Sequence, residues 1–130
     1  MKKRVEMINE IKPQMVVSVH QNSYTSEQIK GAQVFYYQTS EESRKIAEIL
    51  QEAIRIVDKS NERQAKGNDS YYLLKKTKVP TVIVECGFLS NWEEAGKLSN
   101  ETYQEEMAQA IANGIKSCLE DTSQNGDGSV

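Results

Sequence analysis

Apolar side chains recur with two periods along this chain, and the alternation between them marks out its elements. Over residues 2–11 (KKRVEMINEI) Val5, Ile8 and Ile11 stand at helical spacing, and Pro13 ends the helix. Met15 to Val19 (MVVSV) is β-branched, too short for a core helix and suited to a buried strand that delivers His20 at its C-terminal end. Polar residues from Gln21 to Lys30 read as a loop. After Gly31, Gln33 to Tyr37 (QVFYY) reads as a second strand, expected beside the first. Thr39 and Glu42 stand in capping-box relation, so a helix is expected from about Ser40. Ile46, Ile49, Leu50, Ala53, Ile54 and Val57 carry its apolar stripe to about Lys59, enough to cover one face of a sheet.

Residues 60–70 (SNERQAKGNDS) lack apolar periodicity and contain Gly67, Asn68 and Asp69, which predicts an exposed loop. Tyr71 to Leu74 (YYLL) fits either a strand or a helical turn. Thr81 to Glu85 (TVIVE) predicts a buried strand entered through Pro80 and ended by Gly87. Ser90 and Glu93 make a second capping box for a short helix to about Lys97. Asn100 caps a last helix whose Tyr103, Met107, Ala110, Ile111, Gly114, Ile115 and Cys118 share one face. From Thr122 (TSQNGDGSV) the chain turns small and polar, which places a domain at 1–121 and a disordered tail at 122–130. Strands alternating with amphipathic helices predict an α/β fold with helices on both faces of the sheet.

The composition narrows the function classes. At 130 residues, 38% hydrophobic and 27% charged, the chain has the make-up of one small globular domain. Its apolar runs are too short for a transmembrane helix or the h-region of a signal peptide. Sixteen basic against 19 acidic residues, interspersed, argue against a nucleic-acid groove binder. Two cysteines do not make a disulfide scaffold.

Two residues carry candidate chemistry. Active groups in α/β folds gather past the C-terminal ends of strands, and His20 and Glu85 each end a buried strand. A carboxylate there is costly unless it is paired, hydrogen-bonded or near a metal. The pair fits a metal ligand plus a general base, but equally a structural imidazole and a glutamate that simply emerges into solvent. Cys86 offers a thiol nucleophile activated by His20, although alternation along the strand turns it away from Glu85. Cys118 reads as core packing. Tyr36, Tyr37, Tyr71 and Tyr72 fit a sugar or peptide groove, or ordinary sheet packing. No GxSxG elbow or Gly-rich phosphate loop is present.

VVSVHQNSY, GAQVFYY, VPTVIVECGFLSNWEEAGKL and YQEEMAQAIANGI resemble the C-terminal part of zinc-dependent N-acetylmuramoyl-L-alanine amidases, from about Lys2 to Leu119. KKRVEMIN, HQNSY and YYLLKKTKVP are most similar to the sporulation and germination type. The resemblance implies a mixed, mostly parallel sheet and cleavage of the amide between N-acetylmuramic acid and the first L-alanine of the peptidoglycan stem peptide. It implies His20 as one zinc ligand and Glu85 as the catalytic acid/base, with Asn22 fixing the loop or serving as a turn residue. It also implies a cell-envelope or extracellular location.

The family's first zinc histidine, in a DPGHGG-like motif, and its glutamate ligand have no counterpart here. His20 is the only histidine, so the chain has no second imidazole to offer. The expectation is a domain lacking its N-terminal strand-helix segment, from a truncated gene or a start placed too late, and weakly active or inactive alone. Two other readings stay open: a non-catalytic peptidoglycan-binding or regulatory fragment, and a thiol hydrolase using Cys86.

Overall fold

The β-branched runs become strands because their side chains can be buried on two faces at once, and the longest of them takes the middle of the sheet. The computed structural model describes residues 2–22, 31–59, 61–88 and 101–128. Its strands are β1 (Val16–Asn22), β2 (Gln33–Tyr37), β3 (Lys66–Asn68) and β4 (Thr81–Phe88), in the order β1-β4-β2-β3. β1 runs parallel to β4 and β2 parallel to β3, while β2 and β4 are antiparallel. The sheet is thus mixed and mostly parallel, as expected. β1 and β2 are not neighbours, however, because β4 lies between them. Every residue from Thr81 to Cys86 is buried, which suits a central strand covered on both faces. β1 leaves Val19 55% exposed, and β3 has only three residues, as outer strands tolerate.

Helices α1 (Lys2–Ile11), α2 (Glu41–Val57), α3 (Tyr72–Lys76) and α4 (Glu101–Gly128) cover the sheet. On one face Val34, Val82, Val84 and Cys86 pack against Ala47, Leu50 and Ile54 of α2 and Met107 and Ile111 of α4. On the other, Phe35 and Ile83 meet Val5 and Ile8 of α1 and Leu73 and Leu74 of α3. Tyr71 to Leu74 therefore resolves toward helix, with both leucines turned into the core. Lys12, at φ 56°, closes α1 with its amide on the Ile8 carbonyl at 2.8 Å. Asn9 ties α1 to the entrance of β4, donating to the Lys76 carbonyl and accepting from the Lys78 amide.

α2 begins where expected, but its N-cap is Ser40 rather than Thr39, the Ser40 hydroxyl accepting from the Ser43 amide at 3.2 Å. The buried stripe is Ser43, Ala47, Leu50, Gln51 and Ile54, rotated from the predicted one, and Ile56 is 69% exposed. The rotation brings Gln51 over the start of β2. There its amide accepts from Val34 N at 2.8 Å and donates to the Ala32 carbonyl at 3.1 Å. β3 begins opposite Phe35, so a side chain supplies the partners that a longer strand would have given. α4 crosses α2 at Gly114, where an added Cβ would stand 2.5 Å from Leu50 Cδ2.

Three further boundaries differ from expectation. β1 extends through Asn22, and the rest of the expected loop, 23–30, lies outside the described residues, as does the helix expected over 90–97. The region 60–70 contains β3, and Asn61 within it is buried. α4 continues to Gly128 where a disordered tail was expected from Thr122.

Candidate active site

Strand register assembles the site. In the β1–β4 pairing His20 stands opposite Glu85, and in the β2–β4 pairing Gln33 stands opposite Glu85 from the other side. Residues paired across strands point to the same face, so His20, Glu85 and Gln33 form a row across three strands, on the face that also carries Ile83 and Phe35. Glu85 is 1% exposed and Gln33 8%, while His20 is half-buried. Just past the row the register slips: Asn22 pairs with Phe88, so β4 spends an extra residue around Gly87. Gly87 thus marks an irregularity inside the strand rather than its end, and such bulges re-aim side chains at sites.

Each member of the row has polar company. Ser18, two residues before His20 and on its face, shares a 2.8 Å hydrogen bond between its Oγ and His20 Nε2. That contact fixes the ring orientation, as a hydroxyl beside a metal-binding or acid/base imidazole does. The Glu85 carboxyl is not isolated, although its Oε2 atom is buried and accepts no hydrogen bond among the described residues. Gln33 Oε1 accepts from Arg63 Nη1, and its Nε2 donates to the Gln64 carbonyl at 2.9 Å. Ser18, Gln33, Asn61 and Arg63 escaped the sequence reading. Period-two spacing from His20 pointed to Ser18, but Gln33 joins only through strand pairing, and Asn61 and Arg63 only through hydrogen bonds to residues distant in sequence.

The thiol alternative fails on geometry. Cys86 lies on the opposite face, packed with Val82 and Val84 beneath α2 and α4. Burial, and secondarily the charge of Glu85, push its thiol up to about 11, so it is protonated at neutral pH and a poor nucleophile. Nor do the tyrosines make one groove. Tyr36 packs on the α2 face while Tyr37 and Tyr71 pack on the other, Tyr71 edge-on to Phe35 at 5.8 Å. The side chain of Asn22 lies outside the described residues.

A structural zinc site takes four protein ligands and a catalytic one three. Among the described residues no group of three or more His, Cys, Asp or Glu converges. His20 and Glu85 do not fit a complete zinc centre by themselves.

Comparison with known proteins gives this row a context. The family model described as N-acetylmuramoyl-L-alanine amidase matches residues 1–117, a span that includes His20, Gln33, Arg63 and Glu85. This chain belongs to the N-acetylmuramoyl-L-alanine amidase family. It is 35% identical over 115 residues to the germination-specific N-acetylmuramoyl-L-alanine amidase of Bacillus subtilis, covering 88% of this chain and 48% of that protein. Among solved structures, the CwlD amidase of Clostridioides difficile, in complex with the GerS lipoprotein, superposes with a TM-score of 0.86 at 42% identity. It covers 92% of this chain and 61% of that one. An N-acetylmuramoyl-L-alanine amidase of Clostridium difficile 630 gives 0.85 at 28% identity, covering 92% and 64%. The chain thus spans about half the length of the curated amidase it matches. The germination-specific relative agrees with the type suggested by KKRVEMIN, HQNSY and YYLLKKTKVP. No helix among the described residues is long and apolar enough to cross a membrane.

Proposed function

We propose that this chain carries part of the active site for hydrolysing the amide between N-acetylmuramic acid and L-alanine in peptidoglycan, at the cell envelope or outside the cell. The observation that carries the reading is the register pair His20–Glu85 on one sheet face. Glu85 is the acid/base: its carboxylate takes a proton from the attacking water and returns it to the departing alanine nitrogen. His20, oriented by Ser18, would hold a zinc ion together with ligands that the described residues do not supply. Bound there, zinc would polarise the scissile carbonyl and the water. The CwlD relative was solved with a lipoprotein, and we extend to this chain the expectation of a protein partner.

In a zinc-loaded enzyme that pairs this chain with the remaining zinc ligands, Glu85→Gln is expected to lower turnover by about 10²- to 10⁴-fold, the usual worth of a general acid/base, with zinc content unchanged. Retained turnover removes Glu85 from this role. The 130-residue chain alone is expected to hold less than stoichiometric zinc and to turn over little, because the single imidazole of His20 leaves the tetrahedron incomplete. Stoichiometric zinc by elemental analysis together with robust turnover would overturn that part. Peptidoglycan binding that survives a chelator, with no turnover in any zinc-loaded form, would favour the non-catalytic reading.

A further inference from the structure

The Gln33 side of Glu85 is built by a polar chain that starts in the segment ahead of β3. Gly31 adopts φ 93°, and a Cβ there would meet Asn61 Oδ1 at 3.1 Å, so the segment closes directly onto the start of β2. Asn61 is buried. Its Nδ2 donates to the Ala32 carbonyl at 2.9 Å, and its Oδ1 accepts from the Arg63 amide at 2.8 Å. Those two bonds fix the backbone at Arg63, whose Nη1 donates to Gln33 Oε1 while Gln33 Nε2 donates to the Gln64 carbonyl. Both ends of the Gln33 amide are thereby engaged and its rotamer is set. Residues directly opposite on an antiparallel pair hold their Cβ atoms roughly 4.5–5.5 Å apart, and Gln33 stands opposite Glu85, so a fixed Gln33 rotamer limits the space open to the Glu85 side chain. A half-buried arginine joined in this way to a buried glutamine and a buried asparagine is costlier than apolar filling unless every member is satisfied.

We infer that Arg63 is a positioning residue for Glu85, acting through Gln33. The inference rests on the reading of Glu85 as acid/base and adds the device that holds it. Arginine suits the task because its planar fork fixes direction as well as charge, which a lysine ammonium does not.

The test labels glutamate side-chain carboxyls with ¹³C in the 130-residue chain and compares R63Q, R63K, Q33A and the double variant Q33A/R63Q, each checked for an intact amide spectrum. R63Q and Q33A should each move the Glu85 carboxyl resonance by more than the spread among the other glutamates, and R63K should fail to restore it. In the Q33A background, R63Q should add nothing, because both changes act along one route. Should R63Q not fold, Q33A and R63K carry the test. An unmoved Glu85 resonance in the folded variants overturns the inference, and a full R63Q effect in the Q33A background overturns the route through Gln33. In the zinc-loaded enzyme, R63K should lower kcat by up to about 10²-fold, the scale of a misplaced catalytic group. KM should stay within about twofold, since ground-state binding is untouched. Turnover retained by E85Q while the resonance coupling persists would refute the acid/base reading and leave the positioning intact, so the two fail separately.

Discussion

Glu85 and Cys86 sit one peptide apart on the central strand, both buried, and the fold treats them in opposite ways. Glu85 joins a polar row with His20 and Gln33 that is anchored by Ser18 and Arg63. Cys86 joins Val82 and Val84 under two helices, where its thiol fills space and is kept from ionising. Burial is common to both; the strand face decides which has chemical neighbours. A buried ionisable group is informative only once the residues paired with it across the sheet are known.

The sharpest way to break the comparison is to exchange the loss between the two faces. In the zinc-loaded enzyme, Glu85→Gln should cost the 10²- to 10⁴-fold already stated, whereas Cys86→Ala should leave turnover within about threefold, since a core thiol contributes packing rather than chemistry. Alkylation-sensitive turnover that Cys86→Ala removes would restore the thiol reading. The apolar face should answer in stability instead. Ile54→Ala, on a fully buried side chain, is expected to cost about 2–5 kcal/mol, read from the denaturant midpoint at unchanged slope. A cost near zero would mean that the α2 packing differs from that described.

The smallest effect is a pH window. The Cys86 thiol lies near 11 in the fold against an ordinary 9.0. Below about 9 both folded and unfolded chains hold the proton, so this group adds no pH dependence. Between about 9 and 11 the unfolded thiol ionises and the folded one does not, so its contribution falls as pH rises through the window. Comparing wild type with Cys86→Ala isolates it from the lysines and tyrosines that titrate nearby. Wild type should lose more stability than the variant across that interval, and parallel curves would contradict the burial of the thiol.

Much of the architecture was legible from local pattern. MVVSV, QVFYY and TVIVE are each long enough and β-branched enough to admit little besides strands, and the stripe after Ser40 leaves little besides a helix. The errors fall where a local pattern has two solutions. The α2 stripe admits rotation by a residue, and sheet contact with Ala32 and Val34 selected the face bearing Gln51. SNERQAKGNDS looked like solvent because its residues are polar, yet Asn61 and Arg63 are polar groups that the fold satisfies internally.

Local pattern was enough for β1, β2, β4 and the long helices, for the likeness to the amidases, and for His20 and Glu85 as candidates for chemistry. Those are properties of short windows: period, branching, and an ionisable group at the end of an apolar run. That β4 separates β1 from β2, and hence that Glu85 is flanked by His20 on one side and Gln33 on the other, emerges from the assembled sheet. Strand order depends on which strands can be buried on both faces, a global competition for the centre of the sheet that no single window records.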